Sequence, residues 1–165
     1  MNLAEAAAEA DGLAQGGDER ALAELRSRWA DEVEGSARHA DYRVRAIAYR
    51  AIGQFRYRQK VELLRRGLED ESPAARGSAL LSLELLSREG PAAVNSMRPL
   101  LHVLANADAN GAVRRLAVMC LKNGSPQRET IVLLSGIAEN EAEDSALREA
   151  AKRVAAVLTK KSRAR

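Results

Sequence analysis

The side chains that could do chemistry are few and lie far apart in the sequence. His39 and His102 are separated by 63 residues, and neither has a neighbouring acid in an arrangement suited to general acid–base catalysis. Cys120 is the single cysteine, which excludes an internal disulfide and a cysteine-based zinc site. The acidic run from Glu139 to Asp144 offers oxygen ligands for a cation but lacks the order and glycine of an EF-hand. We therefore predict no catalytic residues, no metal site, no cofactor and no enzymatic activity.

The residues best suited to binding lie between positions 38 and 60, where arginines alternate with aromatic residues. Every aromatic residue except Trp29 lies in this segment. Arginine with tyrosine is typical of the residues that dominate protein interfaces, and also of phosphate contact combined with base stacking. Alternatively, this segment has no binding role and is an ordinary solvent-exposed helix face with tyrosines packed at its edge. The predicted partner-binding residues are Tyr42, Arg43, Arg45, Tyr49, Arg50, Tyr57 and Arg58.

Four segments share one pattern: an acidic residue, a short gap, an aliphatic–Arg step and small apolar residues three or four positions apart. The acidic residues are Asp41, Asp70, Asp108 and Asp144, and the arginines are Arg45, Arg76, Arg114 and Arg148. The aliphatic–Arg steps recur after 31, 38 and 34 residues. An imperfect repeat of about this length indicates a solenoid whose stacked units share one core and whose surface carries the function.

The spacing of apolar residues between Gly, Pro and capping residues predicts helices and no strand of useful length. The predicted helices cover 2–14, 19–33, 41–55, 58–69, 73–88, 91–106, 111–122, 126–139 and 144–159. Gly35-Ser36 is expected to end the second helix. Pro99 is expected to kink the sixth helix or to divide it into 91–97 and 99–106. Ser125 and Pro126 are expected to be the cap and first residue of the eighth helix.

The most regular copy of the repeat, running from Asp41 through Val44-Arg45 to Ile52, resembles the HEAT-repeat family. The family pattern is Asp-x-x-Val-Arg-x-x-Ala-x-x-Ala-Leu, and the weaker copies extend the resemblance over residues 19–158. It implies an all-α fold, a right-handed α-solenoid of about four HEAT-like helical hairpins whose second helices line the inner face. It also implies that the repeat Asp and Arg residues are structural and bond neighbouring repeats. A guanidinium can bridge the carboxylate and the loop carbonyls of adjacent turns, which agrees with that role.

Charge and composition divide the chain into three predicted parts: an N-terminal helical cap over 1–17, a repeat domain over 18–159 and a basic tail over 160–165. Residues 1–35 carry 3 basic and 9 acidic residues, whereas residues 36–68 carry 9 basic and 2 acidic. The last fifteen residues carry 6 basic and no acidic residues. Such segregation can orient or steer a charged partner.

These features predict a non-catalytic protein–protein interaction module, a scaffold or adaptor that binds a partner with an acidic patch through a curved helical surface. The alternative is a nucleic-acid-binding protein that uses segment 38–60 and the basic tail. No apolar run is long enough to span a membrane and the N-terminus lacks the pattern of a signal peptide, so we expect a cytoplasmic protein. The Ala- and Arg-rich composition suggests a bacterial source. The oppositely charged ends predict a monomer or weak self-association.

Overall fold

The computed structural model describes residues 1–164 of the chain, and this part is all-α, as the sequence predicted. Its helices are α1 (Leu3–Gln15), α2 (Glu19–Ala37), α3 (Tyr42–Gln54), α4 (Val61–Leu68), α5 (Pro73–Leu86), α6 (Ala92–Ala107), α7 (Gly111–Leu121), α8 (Arg128–Glu139) and α9 (Ser145–Arg163). A short 3₁₀ turn over Arg58–Lys60 precedes α4. Consecutive helices pair as hairpins, which confirms the helical-repeat architecture. The handedness of the repeat stays a prediction.

The chain forms two compact units, Met1–Leu86 and Ser87 onward. In the first unit, α2 pairs with α3 and α4 with α5, and α3 also packs along α5. Helix α1 covers the other side of this arrangement through contacts with α2 and α3. In the second unit, α6 pairs with α7 and α8 with α9, while α7 also packs against α9. Within each unit, the two hairpins therefore pack against each other and bury their apolar faces, as expected for helical repeats.

A very close approach of α3 to α5 organises the first unit. A Cβ atom at Gly53 would lie 2.7 Å from the Cα atom of Ser82, so a glycine is needed where the two helices meet. The backbone N–H of Gly53 donates to the Ser82 hydroxyl at 2.9 Å, and that hydroxyl donates to the Tyr49 carbonyl at 2.5 Å. All three residues are buried. The contact therefore sets the distance between the second helices of two hairpins.

A buried arginine organises the second unit and explains a wrong prediction. Arg98 is 5% exposed and donates to the Thr130 hydroxyl at 2.7 Å, to the Asn95 side chain at 2.6 Å and to the Ser125 carbonyl at 3.0 Å. The Ser125 hydroxyl accepts from Asn95 at 2.9 Å and so holds the loop onto α6. Because it is used there, Ser125 does not cap α8, which begins at Arg128.

Several other predicted helix bounds are corrected. Helix α2 does not end at Gly35-Ser36 but continues to Ala37, because Val33 and Ala37 both lie fully buried at helical spacing. Helix α6 remains one helix with Pro99 inside it, so its division into 91–97 and 99–106 is wrong. Helix α9 does not end at 159 but runs to Arg163, where basic side chains in the last turn favour the helix dipole. The remaining residue of the 160–165 segment, Arg165, lies outside the described residues.

The Gly53–Ser82 contact generates a stability prediction. Replacing Gly53 with Ala is expected to lower the free energy of unfolding by about 1–2 kcal/mol, because overpacking between α3 and α5 outweighs the gain in helix propensity. The matched control is Gly12→Ala, since nothing lies within 4 Å of the added methyl group in α1. That control is expected to raise stability by about 0.5–1 kcal/mol. Chemical denaturation of both variants makes the measurement, and a Gly53→Ala variant as stable as the wild type would contradict the packing argument.

Candidate partner-binding surface

A buried ion pair joins the first two hairpins. The Nε and Nη2 atoms of Arg45 donate to the two carboxylate oxygens of Asp70 at 2.8 and 3.0 Å. The side chains of Arg45 and Asp70 are only 12% and 7% exposed. The remaining Nη1 atom of Arg45 donates to the carbonyls of His39 and Ala40 in the loop before α3. Arg45, one of the predicted partner-binding residues, therefore makes its hydrogen bonds inside the repeat.

The other repeat arginines also bind loop carbonyls. Arg76 donates to the carbonyls of Asp70 and Glu71, and Arg148 donates to the Ala138 carbonyl at 3.1 Å. Arg114 donates to the Ala105 carbonyl at 2.9 Å and to a carboxylate of the following hairpin at 2.6 Å. That carboxylate belongs to Glu143, one position before the expected Asp144. A guanidinium near the start of each second helix thus ties down the loop of its hairpin.

The four repeat aspartates shape the turns that precede the second helices. Asp41 accepts from the backbone N–H of Arg43, and Asp144 accepts from the backbone N–H of Leu147. Asp70 and Asp108 each accept from the backbone N–H two residues further on, at 2.9 and 2.8 Å. Such bonds satisfy backbone donors that a helix start would otherwise leave without partners. The aspartates therefore act locally, and Asp70 also accepts hydrogen bonds from Arg45 of the preceding repeat.

Two tyrosines predicted to bind a partner lie in the core instead. Tyr49 is 1% exposed and its hydroxyl donates to the Ala37 carbonyl at 3.4 Å. Tyr57 is 4% exposed, stacks on Phe55 with ring centroids 5.0 Å apart and donates to the Arg26 carbonyl at 2.5 Å. Burial raises the pKa of Tyr57 to about 12. Neither ring can contact a partner without unfolding, so the proposed surface no longer includes them.

Much of the positive charge of segment 38–60 is neutralised inside the first unit. Arg56 pairs with Asp11 of α1 at 2.9 Å, and Lys60 pairs with Glu34 of α2 at 2.6 Å. Arg43 pairs with the adjacent Asp41 at 3.1 Å, although its side chain is 75% exposed. The acidic N-terminal segment thus supplies counter-charges to the basic segment that follows it. The charge segregation of the sequence therefore becomes a set of contacts within one unit.

The exposed face of α3 retains the features of a binding surface. Tyr42 is 49% exposed and Ile47 is 42% exposed, and Leu81 on α5 is 39% exposed. Two clefts of about 300 Å³ adjoin Ile47, one toward α5 and one toward α2, and Ala4 of α1 lines both. We define the α3 face as Tyr42, Arg43, Ala46, Ile47 and Arg50 with Ala4, Ser78 and Leu81. Of the predicted partner-binding residues, Tyr42, Arg43 and Arg50 lie on this face.

Sequence reasoning missed the apolar centre of the α3 face. Ile47 lies off the stripe formed by Val44, Ala48, Ala51 and Ile52, and an aliphatic residue outside a buried stripe was the available signal. The contributions of Ala4 and Ser78 gave no sequence signal, because they depend on α1 and α5 lying on either side of α3. The exposed Arg58 lies in the 3₁₀ turn before α4 and is not part of this face.

A larger cleft of about 660 Å³ in the first unit is less suited to selective binding of a charged ligand. Its lining contains four arginines, which are Arg38, Arg45, Arg65 and Arg66. It also contains four carboxylates, which are Glu62, Glu69, Asp70 and Glu71. The opposite charges balance, and Arg45 and Asp70 neutralise each other directly. The cleft therefore offers no net charge to an ionic partner.

The residues first considered for chemistry have structural contacts. His39 accepts the backbone N–H of Asp41 through Nδ1 at 2.9 Å, and His102 Nε2 lies 2.8 Å from the Thr130 hydroxyl. Burial lowers the pKa of His102. Cys120 is buried in α7. Within residues 1–164, no three His, Cys, Asp or Glu side chains are grouped so that they could hold a metal ion. None of the helices described is both long and apolar enough to cross a membrane.

The Arg45–Asp70 pair generates a prediction about pH. The Arg45 hydrogen bonds hold the pKa of Asp70 below its usual value, so this contribution to stability is present near pH 7 and is lost as the pH falls through the folded-state pKa. Asp70→Asn is expected to cost about 1–3 kcal/mol at pH 7, because it removes the hydrogen-bonded counter-charge of Arg45 and leaves only the exposed Glu71 at 3.7 Å. The difference from wild type should shrink in acid, where Asp70 of the wild type is itself protonated.

Thermal or urea unfolding at several pH values measures this effect. Glu71→Gln is the matched control, because the Glu71 side chain is 91% exposed and lies 3.7 Å from Arg45. An exposed pair of this kind contributes about 0–1 kcal/mol. An equal loss of stability in both variants, or a loss for Asp70→Asn that is unchanged in acid, would argue against the buried pair as the cause.

Comparison with known families matches the geometry of the first two hairpins. A family model for HEAT repeats matches residues 33–103, a segment that includes α3, α4, α5 and the Arg45–Asp70 pair. No curated protein matches the chain at a significant level. The aliphatic–Arg steps at Arg45 and Arg76 indicated the same resemblance to HEAT repeats from the sequence alone. Residues 33–103, with their paired helices and the Arg45–Asp70 contact, are therefore similar to HEAT repeats.

Proposed function

We propose that the chain is a protein-interaction module, a scaffold or adaptor, that binds its partner on the α3 face. HEAT repeats generally mediate protein–protein interactions, which supports a protein as the partner. The observation that carries the proposal is the exposed Ile47 between two adjoining clefts. An exposed apolar group beside concave surface is typical of a binding site.

The composition of the α3 face supports a protein partner. Its centre is apolar, with Ile47, Ala46 and Ala4 around the two clefts. Its edge carries Tyr42 and Arg43, whose guanidinium carbon lies 6.0 Å from the Tyr42 ring centroid. An apolar centre with Tyr and Arg nearby is the usual anatomy of a protein interface. Arg43 at the edge has a 75% exposed side chain beside Asp41 and can also meet a carboxylate of the partner, so the acidic partner expected from sequence stays part of this proposal.

The fold holds this face in place before any partner binds. Helix α3 is fixed to the next hairpin by the Arg45–Asp70 pair and by the Gly53–Ser82 contact. Arg56 adds a bond from the end of α3 to Asp11 of α1. Because the face does not have to be ordered on binding, little conformational entropy is lost in forming the complex. Rigid presentation of a helix surface is how this module is proposed to work.

The test is a pair of apolar-to-charged substitutions. Ile47→Glu is expected to reduce capture of the partner from cell extract at least about tenfold, because it places an unpaired charge at the centre of the interface. Val103→Glu is the matched control, since Val103 is 63% exposed but belongs to α6 of the other unit. Quantitative mass spectrometry of the captured proteins gives the readout, and thermal melts verify that both variants fold.

A second variant tests whether another residue of the α3 face contributes to the same binding. Tyr42→Ala should weaken capture of the same proteins as Ile47→Glu, because Tyr42 lies at the edge of the α3 face, beside Arg43. Identical sets of captured proteins from wild type, Ile47→Glu and Tyr42→Ala would contradict the α3 face as the binding surface. Loss of the same proteins by Val103→Glu would also contradict it.

A further inference from the structure

Helix α9 carries a positively charged face that no contact described above uses. Its buried residues, Leu147, Ala150, Ala151, Val154, Ala155 and Leu158, form one stripe against the second unit. At about 100° per residue, four cations, Lys152, Arg153, Lys160 and Arg163, fall within roughly 100° of one another on the opposite side, and one exposed acid, Glu149, lies in the same arc a turn before Lys152 and Arg153. All four cations are exposed. Lys161 lies at the border of this face and donates to the Lys122 carbonyl at 2.8 Å.

This face keeps an excess of positive charge, four cations against one acid, within the part of the chain that the structure describes. None of Lys152, Arg153, Lys160 and Arg163 has a carboxylate partner there. The first unit contrasts with this, because Arg45, Arg56 and Lys60 are each paired with an acid. Residues 1–86 carry 13 basic and 15 acidic residues, whereas residues 87–165 carry 13 basic and 8 acidic. The unneutralised positive charge therefore belongs to the second unit, and α9 concentrates it.

The composition of the α9 face distinguishes among anionic partners. Its apolar part consists of Ala156 and Val157, and Val157 is 37% exposed. A helix that inserts into a membrane surface needs larger apolar residues such as Trp, Phe or Leu on one side. Protein interfaces are depleted in lysine and enriched in aromatic residues, and this face has lysines without aromatics. Lysine and arginine without an apolar centre match repeated, sequence-independent contacts to phosphates.

We propose that α9 binds the phosphodiester backbone of a nucleic acid through Lys152, Arg153, Lys160 and Arg163. The proposal is independent of the α3 face, which lies in the other unit. It also moves the expected nucleic-acid contact from segment 38–60, where much of the charge is paired internally, to α9. The twelve residues from Lys152 to Arg163 span about 16 Å of helix. Duplex DNA carries a phosphate charge for about every 1.7 Å of its axis, so four cations over that length have several phosphates within reach.

The test uses fluorescence polarisation with short labelled duplex DNA and duplex RNA and the full chain. Log affinity should fall linearly with log salt concentration, with a slope of about −3 to −4 for three or four phosphate contacts. The variant Lys152→Gln, Arg153→Gln, Lys160→Gln should reduce the magnitude of that slope by about 3, because each lost contact removes about one. Glutamine keeps a high helix propensity, so α9 should persist, and circular dichroism verifies it.

The matched control removes the same charge elsewhere. Arg20→Gln, Arg28→Gln, Arg66→Gln changes three exposed arginines of the first unit and leaves α9 intact. Binding by the control with the wild-type slope, together with loss in the α9 variant, is the expected result. The proposal is overturned by absence of binding to both nucleic acids at about 50 mM salt, where phosphate contacts are strongest. It is equally overturned if the two triple variants weaken binding alike, or if polyglutamate or phosphatidylserine vesicles bind α9 more tightly than nucleic acid does.

Discussion

The buried pair between Arg45 and Asp70 is the interaction on which the arrangement of the first unit depends. A guanidinium with 12% of its side chain exposed must be neutralised and hydrogen-bonded, and Asp70 does both with two bonds. Because Asp70 belongs to the next hairpin, the pair forms only when the two hairpins are stacked in one register. The carbonyls of His39 and Ala40 complete the donors of Arg45 and fix the loop before α3. One side chain thus positions a loop, a helix start and a neighbouring repeat together.

The same pair decides which side of α3 is left for function. With Arg45 and Tyr49 turned into the unit, the buried arc of α3 is wider than a single stripe. Helices α1, α2 and α5 all pack against α3, so its free surface narrows to the side of Arg43, Ile47 and Arg50. Clefts form on both sides of Ile47 because the helices flanking α3 present small residues such as Ala4 and Ser78 there. The proposed binding face is therefore a consequence of how tightly the hairpins are stacked.

The two units differ in how their basic residues are paired with acids. In the first unit, acids of α1 and α2 meet bases that follow α3, as in the contacts of Asp11 with Arg56 and of Glu34 with Lys60. In the second unit, Arg114 pairs with Glu143, but the cations of α9 pair with no carboxylate among the described residues. Arg98 is different again, because it bonds to no carboxylate among the described residues. It is buried among hydroxyl, amide and carbonyl oxygens and anchors a loop as a hydrogen-bond donor. A basic residue in this chain therefore takes its role from the elements that surround it.

The sequence by itself determined the helical class, the repeat and the roles of residues whose partners lie close in the chain. Apolar spacing located nearly every helix, and the recurring Asp and Arg positions identified the HEAT-repeat motif at residues 41–52. Local hydrogen bonds such as the Asp41 cap can be predicted from the sequence, because the two partners lie within a few positions of each other. Only the tertiary structure decided that Tyr49 and Tyr57 are core residues, that Ser125 holds a loop instead of starting a helix, and that Ile47 is exposed. These outcomes depend on which helices pack on each side of a given helix, and the periodicity of one helix carries no information about its neighbours.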